Sequence, residues 1–360
     1  MDIVGQMASI DHGRGRQATE ERRAMGDEVV PDRILELSFA FFGSKALLSA
    51  VELGLFTELA GGPLDAEALR QRLGLHPRAS RDFFDALFGL GLLEREDSRY
   101  RNTAETDLYL DRAKPSYVGA WLEMTNDRLY PFFGALTEGL RTGQPQNEAK
   151  GGDDFFGVLY QDPARLRQFA SSMTGVSMGT ARALARTFPW AKYRTFVDVG
   201  TAQGNLPVQL ALAHDHLTGV GFDLPALEPI FADYVAAFGL SDRLGFAAGN
   251  FFVDPLPAAE VLVMGNILGD WSLDERTVLL AKAYAALPEG GALIVFEQLI
   301  DDERRKRAVN LLVSLLLLIE TPGGGCYTGA ECRSWMGEAG FRETTVEHVA
   351  GPDWMVVGFK

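Results

Sequence analysis

The sequence predicts a doubly wound α/β domain behind an all-α, winged-helix N-terminal domain, and three observations carry that prediction. From Thr195 to the C-terminus, strand-length apolar runs alternate with helical stretches, the pattern of a largely parallel sheet covered by helices on both faces. The first run, Thr195–Val199, enters a tight Gly200–Gly204 loop with a helix starting directly behind it at Asn205, and the second run ends in an acid, Asp223. Ahead of residue 115 the order is helix, helix, then two short runs about a turn, which is the order of a winged helix.

Residues 1–30 are polar, contain Gly and Arg without periodicity, and read as a flexible arm. The N-terminal domain spans 31–114. From Asp32 the chain is apolar nearly all round a helix, through Ile34, Leu37, Phe39, Phe41 and Phe42 and on to Leu48, Val51 and Phe56. Such a helix needs covering on more than one side, which a small domain cannot supply, so a subunit interface is expected here. Leu64–Gly74 reads as a short helix closed by glycine, and Pro77 opens a second helix. Leu92–Asn102 then forms a two-stranded wing about Asp97-Ser98. A winged helix invites a DNA-binding reading, but the second helix mixes Arg78 and Arg81 with Asp82 and Asp85. Phosphate binding requires a basic face, so a dimerisation scaffold is the better reading.

Residues 115–190 form a helical substrate-binding region rich in large side chains, including Tyr117, Phe155, Phe156 and Tyr160, with loops at Gly143–Gln146 and Gly151–Asp154. Aromatic and methionine stripes are ordinarily core. Trp121, Met124, Met173 and Ser177 are the candidates here for lining a flat aromatic substrate. The last domain, 191–360, carries the strands Thr195–Val199, Leu217–Phe222, Leu244–Ala247, Val261–Met264 and Ala292–Phe296. A hairpin of Glu343–His348 and Trp354–Phe359 about Gly351-Pro352 closes it.

At 360 residues the chain can build two cores. Its formal charge of −15 argues against nucleic acid as a partner. Two cysteines suit a reducing compartment and, with no Cys or His at ligand spacing, give no metal site. The longest apolar run, Leu311–Ile319, is far too short to span a bilayer. No apolar segment follows the N-terminal arginines as it would in a signal peptide. Together these give the expectation of a cytoplasmic protein without a membrane or nucleic-acid partner.

The chemistry is expected at the carboxyl edge of the sheet. Gly200 and Gly204 let a ligand approach the backbone, and Asp223 is placed to accept both hydroxyls of a ribose. Leu224 and Phe251 can sandwich an adenine whose edge Asn250 addresses, with Gly249, Gly265, Asn266 and Trp271 on the neighbouring strand ends. Ala202 stands where a dinucleotide fingerprint has its middle glycine, so a nucleoside without a pyrophosphate is favoured. Asp198, on the first strand, is expected to order the glycine loop and not to touch substrate.

An ordered set of motifs runs along these segments: Val197-Asp-Val-Gly200, Gly204, Gly221-Phe-Asp-Leu-Pro225, Gly249-Asn-Phe-Phe252, Asp270-Trp271, Leu287-Pro-Glu-Gly-Gly291, Glu297, Ile319-Glu-Thr-Pro-Gly323 and Gly340-Phe341. On these residues the chain resembles the bacterial small-molecule O-methyltransferases of the caffeate and hydroxyindole type over about residues 30–360. The resemblance implies a Rossmann-like class I methyltransferase domain, S-adenosyl-L-methionine (SAM) as cofactor with S-adenosyl-L-homocysteine (SAH) as product, a homodimer formed through the N-terminal domain, and a small aromatic substrate of secondary metabolism such as antibiotic biosynthesis.

The departures from the family are at the catalytic loop. The family's His-Asp-Trp supplies a histidine base, and here that position is Gly269. Glu297 and Glu320 match the two acids that flank the family's histidine, and Asp270 follows Gly269. Three readings therefore stand: a carboxylate among Glu297, Glu320 and Asp270 serves as base; the acceptor is a nitrogen, ring carbon or acidic phenol that needs none; or the protein binds SAM without transferring its methyl. Asn250 and Asn266 also replace, respectively, an aspartate and a histidine usual in related bacterial members.

Overall fold

The computed structural model describes residues 29–148, 150 and 162–360. All but the last two residues of the expected arm, the Gly151–Asp154 loop, and Phe155, Phe156 and Tyr160 lie outside them. The chain divides into two compact units, one running to Pro131 and including Ser171–Val176, the other taking the described part of Phe132–Ala170 and Ser177–Lys360. The residues expected to form a separate helical region, 115–190, are thus shared between the two.

In the first unit, α1 (Asp32–Glu52) ends where Leu53-Gly54 turns the chain, Gly54 taking a left-handed φ of 72°. α2 (Leu55–Ala60) follows. The C-terminal part of α1 is buried at Leu48, Ala50 and Val51, the last two in one cluster with Leu55, Phe56 and Leu59. Its N-terminal part is bare: Ile34, Leu35, Leu37, Phe39, Phe41 and Phe42 are all exposed. α1 has 21 residues and a mean hydropathy of 1.5, long and apolar enough by composition to cross a membrane. Asp32, Arg33, Glu36 and Lys45 interrupt this stretch, so the longest uninterrupted apolar run lies elsewhere in the sequence.

Leu64–Gly74 is not one helix. Leu64–Asp65 is a short strand, β1, and α3 (Ala66–Arg72) begins only where the Asp65 side chain accepts from Ala68 N at 2.8 Å. Side-chain capping requires an extended N-cap residue, and that extension lets β1 pair with the wing. α4 (Pro77–Gly89) precedes the wing itself, β2 (Leu93–Glu96) and β3 (Arg99–Asn102). Asp97 and Ser98 take φ of 48° and 64°, the pair of positive values that a two-residue hairpin prefers. The wing therefore has three strands in the order β1-β3-β2. Its Tyr100 hydroxyl donates to Asp85 of α4 at 2.6 Å. α5 (Ala104–Leu110) and α6 (Gly119–Met124) follow, and α6 passes through a π-helical turn at Thr125–Leu129.

α7 (Tyr130–Phe133) marks the change of unit, followed by α8 (Leu136–Thr142) and the long α9 (Pro163–Thr187), capped by Asp162. The sheet of the second unit then unfolds in alternation: β4 (Thr195–Val199), α10 (Asn205–Ala213), β5 (Thr218–Asp223), α11 (Glu228–Ala237), β6 (Leu244–Ala248), β7 (Val261–Gly265), α12 (Leu273–Ala286), β8 (Ala292–Glu297), α13 (Ala308–Glu320), α14 (Gly329–Ala339), β9 (Glu343–Ala350) and β10 (Asp353–Phe359). The strand order is β6-β5-β4-β7-β8-β10-β9. The first five of these strands are parallel, and β10 pairs antiparallel with both β8 and β9. Successive residues point to opposite faces, so Phe196, Val261, Val263 and Ile294 feed one buried cluster while Val197, Leu262, Leu293 and Val295 feed the other. After β6 the chain returns to the far side of β4. That reversal puts the topological switch point between β4 and β7, where this architecture binds ligands.

Candidate active site

The loop after β4 is shaped by three left-handed residues, Gly200 (φ 75°), Ala202 (φ 50°) and Gly204 (φ 90°). A Cβ on Gly200 would lie 2.2 Å from Ile267 Cδ1, so the loop after β7 can close against this one only over a glycine. Asp223, at the end of β5, clamps the loop: its carboxylate accepts Ala202 N at 2.9 Å and Leu224 N at 2.8 Å. Asp198 is buried beneath, and burial pushes its carboxyl up to about 7, the Thr201 hydroxyl opposing and the Asp223 charge adding to the rise. Asn205, buried at the start of α10, has an Oδ1 with no partner among the described residues.

Leu224, Phe251 and Trp271 are half-buried, and Asn250 is exposed. Phe251 and Phe252 both meet Trp271 edge-on, at ring distances of 5.8 and 4.7 Å. Asn250 Oδ1 accepts Phe252 N at 2.9 Å, holding that turn. Gly249 and Gly265 have a packing cause of their own, since a Cβ on either would strike the Phe222 or Phe296 ring. A cradle closed by glycines, an acid at the strand end and an orphaned buried oxygen fit a nucleoside cofactor of the SAM type.

The three acids singled out by the sequence do converge. Glu297 closes β8, Asp270 lies in the 3-10 turn Leu268–Asp270, and Glu320 ends α13. Gly269 N donates to Glu297 Oε1 at 3.0 Å, and a Cβ on Gly269 would sit 3.1 Å from Glu297 Oε2. Burial raises the Glu297 carboxyl, while backbone N–H groups of Gly269 and Ile267 and the nearby Tyr327 hydroxyl favour its ionised form. Burial pushes Asp270 up to about 8, with the charges of Glu297 and Glu320 adding to the rise and Arg276 opposing it.

Arg276 was not anticipated. On sequence alone it is one more charge in the first turns of α12, yet it is buried, donating to Leu268 O at 2.7 Å and to Gly325 O at 2.6 Å. Its guanidinium lies over the Tyr327 and Trp335 rings. A buried cation beside three acids offsets their mutual repulsion and fixes the carbonyls of the Gly269 turn.

Of the substrate candidates, Trp121, Met124 and Met173 belong to the first unit and Ser177 to the second. Met124 is a core residue, 4% exposed. Ser177 Oγ accepts from Asn205 Nδ2 at 3.0 Å.

Known proteins share the architecture of this chain. The model of an O-methyltransferase domain matches residues 133–342, and that of an O-methyltransferase dimerisation domain matches 35–112. The chain is 46% identical to the tetracenomycin polyketide synthesis 8-O-methyl transferase TcmO of Streptomyces glaucescens, over 92% of this chain and 97% of that one. It is 38% identical to the N,N-dimethyltransferase OxyT of Streptomyces rimosus, over 91% and 96%. Human N-acetylserotonin methyltransferase, solved in complex with SAM, superposes with a TM-score of 0.84 at 26% identity, over 93% of this chain and 99% of that one.

Proposed function

Because the chain belongs to the O-methyltransferase family and is a SAM-dependent methyltransferase, we propose that it methylates a hydroxyl of an aromatic polyketide-type metabolite, using a carboxylate beside Gly269 in place of the family's histidine. The observation that carries this reading is the convergence of Asp270, Glu297, Glu320 and Arg276 on the Gly269 turn. SAM supplies an electrophilic methyl group on a sulfonium, and the chain's own residues do the rest. The glycine loop and Asp223 orient the nucleoside. Alignment of nucleophile and methyl supplies much of the rate. A phenol with a pKa of about 10 is mostly protonated at neutral pH, so a proton acceptor in reach contributes roughly 10²–10⁴-fold. Glu297 is engaged by the backbone around Gly269, whereas Asp270 keeps some exposure, so Asp270 takes the proton, and desolvation, with the charges of Glu297 and Glu320 adding to it, holds its pKa in the range of such a base.

The named relative TcmO acts in polyketide synthesis, which supports the substrate class. The functional unit in this reading is a cytoplasmic homodimer assembled through residues 31–114, the exposed face of α1 being covered by the second copy. Residues 115–190 line the substrate and 191–360 hold the cofactor. A second reading, methyl transfer to an amine, is favoured by the glycine at 269 and by similarity to an N,N-dimethyltransferase, since a neutral amine needs no base.

The deciding experiment is a screen of phenol and amine acceptors with methyl-labelled SAM, with Gly269→His in parallel. Label on phenols with the parent, at least ~10-fold reduced in Asp270→Asn, supports the carboxylate base. Label on amines alone supports the second reading. Phenol methylation that appears only in Gly269→His would overturn the first.

A further inference from the structure

Three polar side chains that none of these roles uses, Thr180, Gln298 and Asp353, form one chain of hydrogen bonds with Asn266, which the sequence places among the nucleoside residues and which this chain ties instead to the substrate side. Thr180 of α9 donates through Oγ1 to Asp353 Oδ2. Gln298, the residue after β8, donates through Nε2 to Asp353 Oδ1 and, at 3.1 Å, to Asn266 Oδ1. Asp353 opens β10 and is buried. Burial raises its carboxyl, and the bonds from Thr180 and Gln298 work against that rise. Asn266 is held from the backbone side as well, with a left-handed φ of 55° and its N–H bound to Phe296 O at 3.0 Å.

The direction of this chain follows from chemistry. An ionised carboxylate only accepts, so Gln298 turns its NH₂ group towards Asp353. The second hydrogen of that group goes to Asn266, which must therefore present its oxygen, leaving its own NH₂ to donate elsewhere. Asn266 is half-buried and directly follows β7. The residue after it, Ile267, packs on the glycine loop, and Gly269 binds Glu297.

We propose that Asn266 is a substrate-recognising donor, held by the positioning residues Gln298, Asp353 and Thr180, and that it binds a carbonyl oxygen adjacent to the hydroxyl being methylated. The proposal rests on the aromatic hydroxyl as acceptor. A hydroxyl beside a carbonyl donates to it internally, which keeps its proton. A fixed amide donor competes for that carbonyl and releases the hydroxyl to the acids around Gly269. The preferred substrates are thus hydroxyaryl ketones or quinones over plain phenols.

The test compares 1-hydroxyanthraquinone with 1-hydroxyanthracene, which lacks the neighbouring carbonyl. Binding to the full-length protein saturated with SAH is measured by calorimetry, and turnover with SAM is measured alongside. The parent should bind the quinone roughly 10–100-fold more tightly, the range of one hydrogen bond made in a desolvated site. Asn266→Asp, which puts an acceptor where the donor was, should abolish that preference while SAH affinity stays within about 3-fold. Gln298→Glu and Asp353→Leu should do the same. Asp353→Asn should restore it, because its oxygen still accepts from Gln298 and the Thr180 hydroxyl can turn to accept. The proposal is overturned by equal binding of the two probes, by binding of neither, by a preference that survives Asn266→Asp, or by loss of SAH affinity in that variant. A preference in binding without methyl transfer to either probe counts against the hydroxyl-methylation reading and supports the donor role of Asn266.

Discussion

The loops after β4 and β7 are built alike and filled differently. Each leaves a parallel strand at the switch point, and in each an acid from the next strand over accepts backbone N–H groups: Asp223 takes Ala202 and Leu224, and Glu297 takes Gly269. In the first loop the glycines and the acid are those that the sequence expects of a nucleoside site. In the second, the position where the family has its histidine carries no side chain at all. The comparison teaches that the backbone of a catalytic loop can outlast its principal side chain when the loop is fixed by other groups. Here those groups are Glu297, Arg276 and the Gly325 N–H bound to Gly269 O at 2.8 Å.

The largest effect that would break the likeness is on the first loop. Asp223→Ala removes the clamp on Ala202 and Leu224 and both charged acceptors for a ribose. SAH affinity by calorimetry should fall at least ~100-fold, since hydrogen bonds to a charged group contribute about 1.5–3 kcal/mol each. A fall under 10-fold would mean that the cofactor is held mainly by other residues.

The second effect is on pH dependence and concerns the β7 loop. With the Asp270 carboxyl pushed up to about 8, the rising limb of the pH–rate profile should lie near 8, not near the ordinary carboxylate range of about 4. Stability has the opposite sign. Between about 4 and 8 the folded chain keeps a proton that the unfolded chain has lost, so stability falls as pH rises across that window and levels off above it. Denaturant midpoints measured from pH 4 to 9 should show this slope in the parent and a shallower one in Asp270→Asn. Equal slopes in the two would place the shifted group elsewhere.

The smallest effect sharpens the contrast between neighbouring glycines. Gly265→Ala forces a methyl to 2.1 Å from the Phe296 ring and should cost about 1–3 kcal/mol by overpacking, whereas Gly269→Ala meets Glu297 Oε2 only at 3.1 Å and should cost under ~1 kcal/mol. Equal losses in chemical denaturation would mean that the Glu297 carboxylate yields no more readily to a methyl than the Phe296 ring does.

What the sequence revealed and what it concealed divide along the same line. The sheet was legible because each strand is an apolar run bounded by glycine or a polar turn, and the first nucleoside loop because strand, glycines and acid fall within 30 residues. The short strand β1 was concealed, because Leu64–Asp65 is a strand only through Tyr100 and Arg99, far along the chain. The acids at 270, 297 and 320 were legible by family likeness, since no local pattern joins them. Arg276 and the Gln298–Asp353 link had no signal at all: a buried arginine and an exposed one read alike, and 55 residues separate Gln298 from its partner.

The bare half of α1 has a consequence of another kind. Six large apolar side chains from Ile34 to Phe42 face outward on the isolated chain, and apolar surface removed from water contributes about 25 cal/mol per Å². Keeping this protein in solution is then a matter of supply as much as of sequence. If the proposed homodimer covers that face, dilution would uncover it, and newly made chains would be best served by meeting each other early, near the site of synthesis.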